Sequence, residues 1–218
     1  MSRQDDRVPA ARRARPQRGF LTSRQAFVVL GLIFLAPTFV AWVMHHSGDG
    51  GWRPEGMTNA GNLVHPARPL AMPAKLRAGD QPLDEFLQGK WTLLYIGDAD
   101  CDAVCLDALY RMRQIRIAQN ENMKRVQTLF LLRGESVSPQ LAGRLTEEYP
   151  DLTVVPITVT QAGEIAPYFE IDGAGMEAAG RVYFIDPLGN LMMYYRPDAD
   201  PGGMLKDLRK LLKYSRIG

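Results

Sequence analysis

The chain has 218 residues, room for one globular domain with an extension or at most two small domains. Hydrophobic residues at 46% and charged residues at 23% exclude collagen-like, mucin-like and intrinsically disordered chains. The net charge of +2 hides an asymmetry, because residues 1–25 hold seven arginines against Asp5 and Asp6 while the rest holds 19 basic against 22 acidic side chains. The folded part therefore lacks the basic excess that nucleic-acid binding needs.

After the basic tail, residues 26–44 (AFVVLGLIFLAPTFVAWVM) run without a charge. About 20 apolar residues span a bilayer as a helix, and membrane helices tolerate a proline such as Pro37. The arginines ahead of the run place the N-terminus in the cytoplasm and everything after Met44 outside. The expectation is a cytoplasmic tail over 1–25 and a transmembrane anchor in the lipid bilayer over 26–44. A cleaved signal peptide shares this layout. Its apolar region is usually about 7–15 residues and ends at a small-residue site, whereas this run is longer and ends without a clear one.

Residues 45–75 are rich in Gly, Pro, Asn and Ser and show neither helical nor strand period, so they read as a linker. His45 and His46, just beyond the apolar run, suit either metal binding or a solvated interfacial spot. His65, in an extended V-H-P-A-R-P run, is open to the same two readings.

From residue 76 to 218, short apolar runs alternate with amphipathic ones. Residues 91–96 (WTLLYI), between Gly-Lys and Gly-Asp, predict a buried central strand. Cys101, Val104, Cys105, Ala108, Leu109 and Met112 then recur at helical spacing, with Arg111, Arg113 and Arg116 on other faces. This predicts a helix ending near Asn120. Residues 126–132 predict a second strand, and Ser138-Pro139 a capped helix that Pro150 stops. Residues 154–159, holding Pro156, predict a third strand near an edge, and 161–169 a short helix. Residues 181–186 and 191–195, joined by P-L-G-N, predict a hairpin, and 201–214 a closing helix. The sum is an α/β fold, a mixed sheet with helices on both faces.

The two cysteines, Cys101 and Cys105, follow the first strand and open its helix in D-A-D-C-D-A-V-C-L-D. At i and i+4 they would share one helical face, and the helix N-terminus favours thiolates. Two thiolates so placed form a redox pair or clasp a soft ion such as Cu(I). Two buried small hydrophobes or a static disulfide are the bland alternatives. Asp98, Asp100, Asp102 and Asp107 oppose thiolate formation by like charge. That cluster reads as hard oxygen ligands or, more simply, as solvated loop charge.

G-K-W-T-L-L-Y-I-G before C-x-x-x-C, with Y-F-I-D-P-L-G-N later, resembles the Sco/SenC family over roughly residues 76–214. The run N-A-G-N-L-V-H-P-A-R-P-L also resembles small bacterial Sco-like proteins. The resemblance implies a thioredoxin-like domain behind a single membrane anchor, on the periplasmic face of a bacterial inner membrane. It also implies a role in cytochrome c oxidase assembly, with oxidase subunits or copper-assembly proteins as partners. Cys101 and Cys105 match the family's copper-binding cysteines. Its third ligand, a histidine, falls on Ala178, so the copper site is incomplete, and Met176 is the nearest soft side chain. The family's prolines after each cysteine are replaced by Asp102 and Leu106. Three functions follow: handling Cu(I) or reducing partner cysteines in oxidase assembly; general thiol–disulfide exchange, with peroxidase chemistry as a variant; or a non-catalytic scaffold.

Overall fold

The computed structural model describes residues 22–46, 59–176, 180–215 and 217. The chain divides into two units, Met1–Gly56 and Met57–Gly218. In the first, α1 (Ser23–His46) is a 24-residue helix with Pro37 inside it. Phe27, Leu30, Ile33, Phe34 and Phe39 are all exposed. Judged on the described residues, which leave out the side chains at 23, 41 and 44–46, no helix is long and apolar enough to cross a membrane. The anchor over 26–44 thus rests on sequence.

The second unit is built on a six-stranded sheet ordered β1-β8-β7-β4-β5-β6. Its strands are β1 (Asn62–Pro69), β4 (Trp91–Asp98), β5 (Val126–Arg133), β6 (Leu152–Ile157), β7 (Val182–Ile185) and β8 (Asn190–Tyr195). A separate two-stranded ribbon joins β2 (Arg77–Ala78) to β3 (Gln81–Pro82). β4, β5 and β6 run parallel, whereas β7, β8 and β1 add antiparallel to the other side of β4. β4 is central and covered on both faces, which is why it reads as one apolar run rather than an alternation. Leu93 and Tyr95 point to one face, Leu94 and Ile96 to the other.

The first face packs against α3 (Ala103–Ile117), α4 (Pro139–Glu148) and α6 (Pro201–Tyr214) through Met112, Leu141 and Leu208. The second packs against α2 (Leu83–Phe86) and α5 (Val159–Phe169) through Leu83, Ile165 and Phe169. Local sequence sets the helix starts. Asp102, Ser138, Thr158 and Asp200 each accept a backbone N–H of the first turn, with Pro139 and Pro201 just inside. The mixed sheet with helices on both faces is as the alternating pattern predicts.

Four expectations need correction. The segment 45–75 is not wholly a linker: β1 lies within it, and Val64 and Met72 enter the second core. Pro66 and Pro69 hide the strand, and an edge strand tolerates them because only one side is paired, here to β8. The third strand sits two residues earlier than predicted, since Thr158 and Gln161 form a capping box that starts α5 at Val159. α3 ends at Ile117, before Asn120, and Arg111 lies on its buried side, 8% exposed and paired with Asp107. Cys101 lies before α3 rather than on it, so the cysteines do not share a helical face.

At the far edge of the sheet, Asp207 of α6 is 2% exposed. Its Oδ2 accepts the backbone N–H groups of Ala60 (2.7 Å) and Gly61 (3.0 Å) and the Tyr195 hydroxyl (2.9 Å). A buried carboxylate that holds three donors is a structural clamp, here tying the start of the unit to its last helix.

Candidate functional site: a cysteine pair at the end of the central strand

The cleft exists because β4 outruns one neighbour. β5 pairs with β4 as far as Asp98, opposite Arg133, whereas β7 begins at Val182, opposite Tyr95. Among the described residues, Ile96, Gly97 and Asp98 therefore have no strand partner on the β7 side. The result is a cleft of about 140 Å³ at the carboxyl end of a central strand, where α/β sheets place their ligands. Tyr95, Gly97, Asp98, Cys101, Cys105 and Met176 are among its lining.

Cys101 and Cys105 form a disulfide with their Cα atoms 5.1 Å apart. Both are buried, at 6% and 2% exposure, so Cys101 is the more accessible. Cys101 has φ +35°, in the left-handed region that costs a non-glycine residue about 1–2 kcal/mol. Its N–H donates to the Asp98 carbonyl (3.2 Å), closing the turn off β4. Asp102 follows as the cap of α3 and accepts the Cys105 N–H (2.9 Å). The turn and the cap thus bring the two sulfurs together across the start of the helix.

Three of the four neighbouring aspartates are engaged, and Asp100 is exposed at the cleft. Asp98 pairs with Arg133 (2.8 Å), Asp107 with Arg111, and Asp102 caps α3. This favours the loop-charge reading of the aspartates. Among the described residues no three of His, Cys, Asp and Glu converge on a metal-sized space. His65 is exposed on edge strand β1, and the side chains of His45 and His46, like Ala178, lie outside the described residues.

Sequence reasoning missed three groups at the cleft. The Tyr95 ring lies over Gly97, where a Cβ would come within 2.7 Å of it, and against Phe130 at 5.7 Å. Burial, and after it the Asp102 charge, pushes the Tyr95 hydroxyl up to about 12, against a backbone hydrogen bond from Gly180. Gly180 has φ +78°, and a Cβ there would meet Val104 and Pro197 at 2.6 Å, so this turn needs glycine to lie against α3. Arg133 enters through register alone: the parallel pairing of β4 with β5 sets it beside Asp98. A wider hollow of about 470 Å³, lined partly by Val159, Ala162 and Ala166, shares Asp98, Arg133 and Met176 with the cleft.

A family model described as a transmembrane-like, thioredoxin-like, C-terminal domain matches residues 91–215. Among solved structures, apo Sco1 from Thermus thermophilus aligns at TM-score 0.53 with 19% identity, covering 72% of this chain and 99% of that one. Yeast Sco1 aligns at 0.50 with 17% identity, covering 61% and 85%. Arabidopsis thaliana ScoI, solved with copper bound, aligns at 0.49 with 20% identity, covering 61% and 89%. No curated protein matches the sequence.

Proposed function

The chain belongs to the family of transmembrane-like, thioredoxin-like C-terminal domains, and on that premise we propose that it is a membrane-anchored thiol and cuprous-copper handling protein of Sco-like type. The observation that carries this reading is the placement of the disulfide. It spans the turn from the central strand into α3, in an open cleft, with one cysteine held at positive φ and the other in a first helical turn. A staple serving only stability has no need of a cleft.

Two chemistries suit the pair. In its reduced form, the Cys101 thiolate attacks a partner disulfide and breaks it, and the partner's first sulfur leaves as a thiolate. Cys105 then attacks the mixed disulfide at the Cys101 sulfur, releasing the second partner thiolate. Two electrons pass to the partner, and the pair ends as the observed disulfide. Alternatively, the reduced pair loses two protons and takes one Cu(I) as cargo. The residues fit this ion, because thiolates are soft donors and Cu(I) accepts low coordination. They do not fit Cu(II), which wants further N or O donors.

The apolar, uncharged run 26–44 behind seven arginines supports an anchor with the sheet unit in the periplasm of a bacterial inner membrane. The sequence resemblance supports cytochrome c oxidase assembly as the setting, with oxidase subunits or copper-assembly proteins as partners. The general exchange reading is less favoured, since the stretch E-A-A-G-R before β7 lacks the proline that thioredoxin-type enzymes set opposite their cysteines.

The test is Cu(I) competition against a chromogenic chelator, using the reduced full-length chain in detergent micelles without oxygen. One Cu(I) per chain is expected, lost in Cys101→Ser and in Cys105→Ser. Absence of binding, with no exchange with glutathione, would leave the scaffold reading.

A further inference from the structure

We propose that the thioether of Met176 is the third protein ligand of the cuprous ion held by the reduced cysteines, making an all-sulfur site. This rests on the copper reading above and deepens it. Met176 lines the same cleft as both cysteines and is 3% exposed. The other donors around that cleft are hard oxygens or cations, and Asp98 and Asp102 already hold Arg133 and the Cys105 N–H. Met176 is thus the one further soft donor among the described lining residues.

Its position is set by a braced turn two residues upstream. The Ile171 N–H donates to the Ala174 carbonyl and the Ala174 N–H to the Ile171 carbonyl, each at 3.0 Å. Between them, Asp172 and Gly173 take φ +54° and +71°. The Tyr194 hydroxyl donates to the Asp172 carboxylate at 2.6 Å, fixing that turn to the sheet. A methionine delivered to a cysteine cleft by such a turn is pre-placed, and its flexible stem lets the sulfur swing toward an ion. Two thiolates and a neutral thioether give the low-coordinate, soft environment Cu(I) prefers, without a histidine.

For the site to form, a dithiol reduces the disulfide. Two electrons and two protons pass to Cys101 and Cys105, and the dithiol becomes its own disulfide. The ion then displaces the two thiol protons, and Met176 loses none.

The experiment uses the full-length chain with selenium in place of sulfur in every methionine, reduced with dithiothreitol, desalted without oxygen and given one equivalent of Cu(I). X-ray absorption at the copper edge reads the neighbours. The expected result is two sulfurs and one selenium in the first shell. The labelled Met176→Leu protein should keep two sulfurs, lose the selenium, and bind Cu(I) roughly tenfold more weakly or worse. A thermal melt of that variant checks folding, and Met176→His serves as a second variant that should keep tight binding while replacing selenium with a light scatterer. Copper bound by both cysteines with no selenium neighbour, or an unchanged affinity in Met176→Leu, would overturn the third ligand alone. Failure of the wild type to take up Cu(I) would overturn the copper reading, and this inference with it.

Discussion

Two aspartates, Asp102 beside the cysteines and Asp207 at the far edge of the same sheet, show how one side-chain type is put to opposite uses. Asp207 is buried, and its Oδ2 takes two backbone N–H groups and a tyrosine hydroxyl. Asp102 is exposed and takes one N–H, that of Cys105. The first gathers three donors on one oxygen and closes the fold. The second leaves an open cleft with a residue at positive φ beside it. The burial of the acceptor and the number of donors it holds, rather than its charge, separate the clamped edge from the workable one.

If that contrast is right, Asp207→Ala should be the most damaging change of those considered. It leaves the Gly61 N–H and the Tyr195 hydroxyl without this acceptor in the core and the Ala60 N–H without it at the margin, and a loss of about 3–5 kcal/mol is expected in urea unfolding. A loss under about 1 kcal/mol would mean that water replaces the carboxylate and that the edge is not closed.

Alkaline stability sharpens the comparison, because each region holds a buried tyrosine. The folded protein keeps the Tyr95 proton to about 12, whereas the unfolded chain releases it near the ordinary tyrosine value of 10.0. Below pH 10 both states hold the proton and the full contribution is present. It is lost as pH rises from 10 toward 12, by about 2 kcal/mol. Tyr195 is raised in the same direction, by burial first and by its hydrogen bond to Asp207. The wild type should therefore weaken steadily above pH 10, and Tyr95→Phe should remove part of that slope. Urea midpoints from pH 8 to 11 read it, and an unchanged slope in the variant would show that Tyr95 is not desolvated in the folded state.

The smallest effect belongs to the open region. Asp102→Ala removes a helix cap, with an expected loss of about 1 kcal/mol and a folded domain that keeps its disulfide. A loss near that of Asp207→Ala would erase the distinction between the two regions.

The same contrast explains what the sequence made legible. The central strand, the capped helix at Ser138 and the helix from Pro201 carry their signals locally, and they appear where expected. β1 does not, because its prolines mask the run and its partner β8 lies more than 120 residues on. The cysteines were legible as a pair. Their geometry was not, because i and i+4 spacing implies a shared helical face only when both residues are helical, and Cys101 sits in the turn before the cap. Tyr95 looked like an ordinary strand residue, and its place at the cleft follows from β7 starting opposite it. Gly180 carried no signal apart from its position before a strand, since what it must avoid, Val104 and Pro197, is distant in sequence.

The central question for the cleft is whether Cys101 and Cys105 are a working pair or a staple. The direct test is thiol trapping of the full-length chain across glutathione buffers of graded potential at pH 7, with near-ultraviolet circular dichroism recorded at each point. A working pair should be reduced reversibly with a midpoint between about −300 and −180 mV and an unchanged folded spectrum. A disulfide that resists reduction at about −300 mV, or opens only as the fold is lost, would contradict that reading.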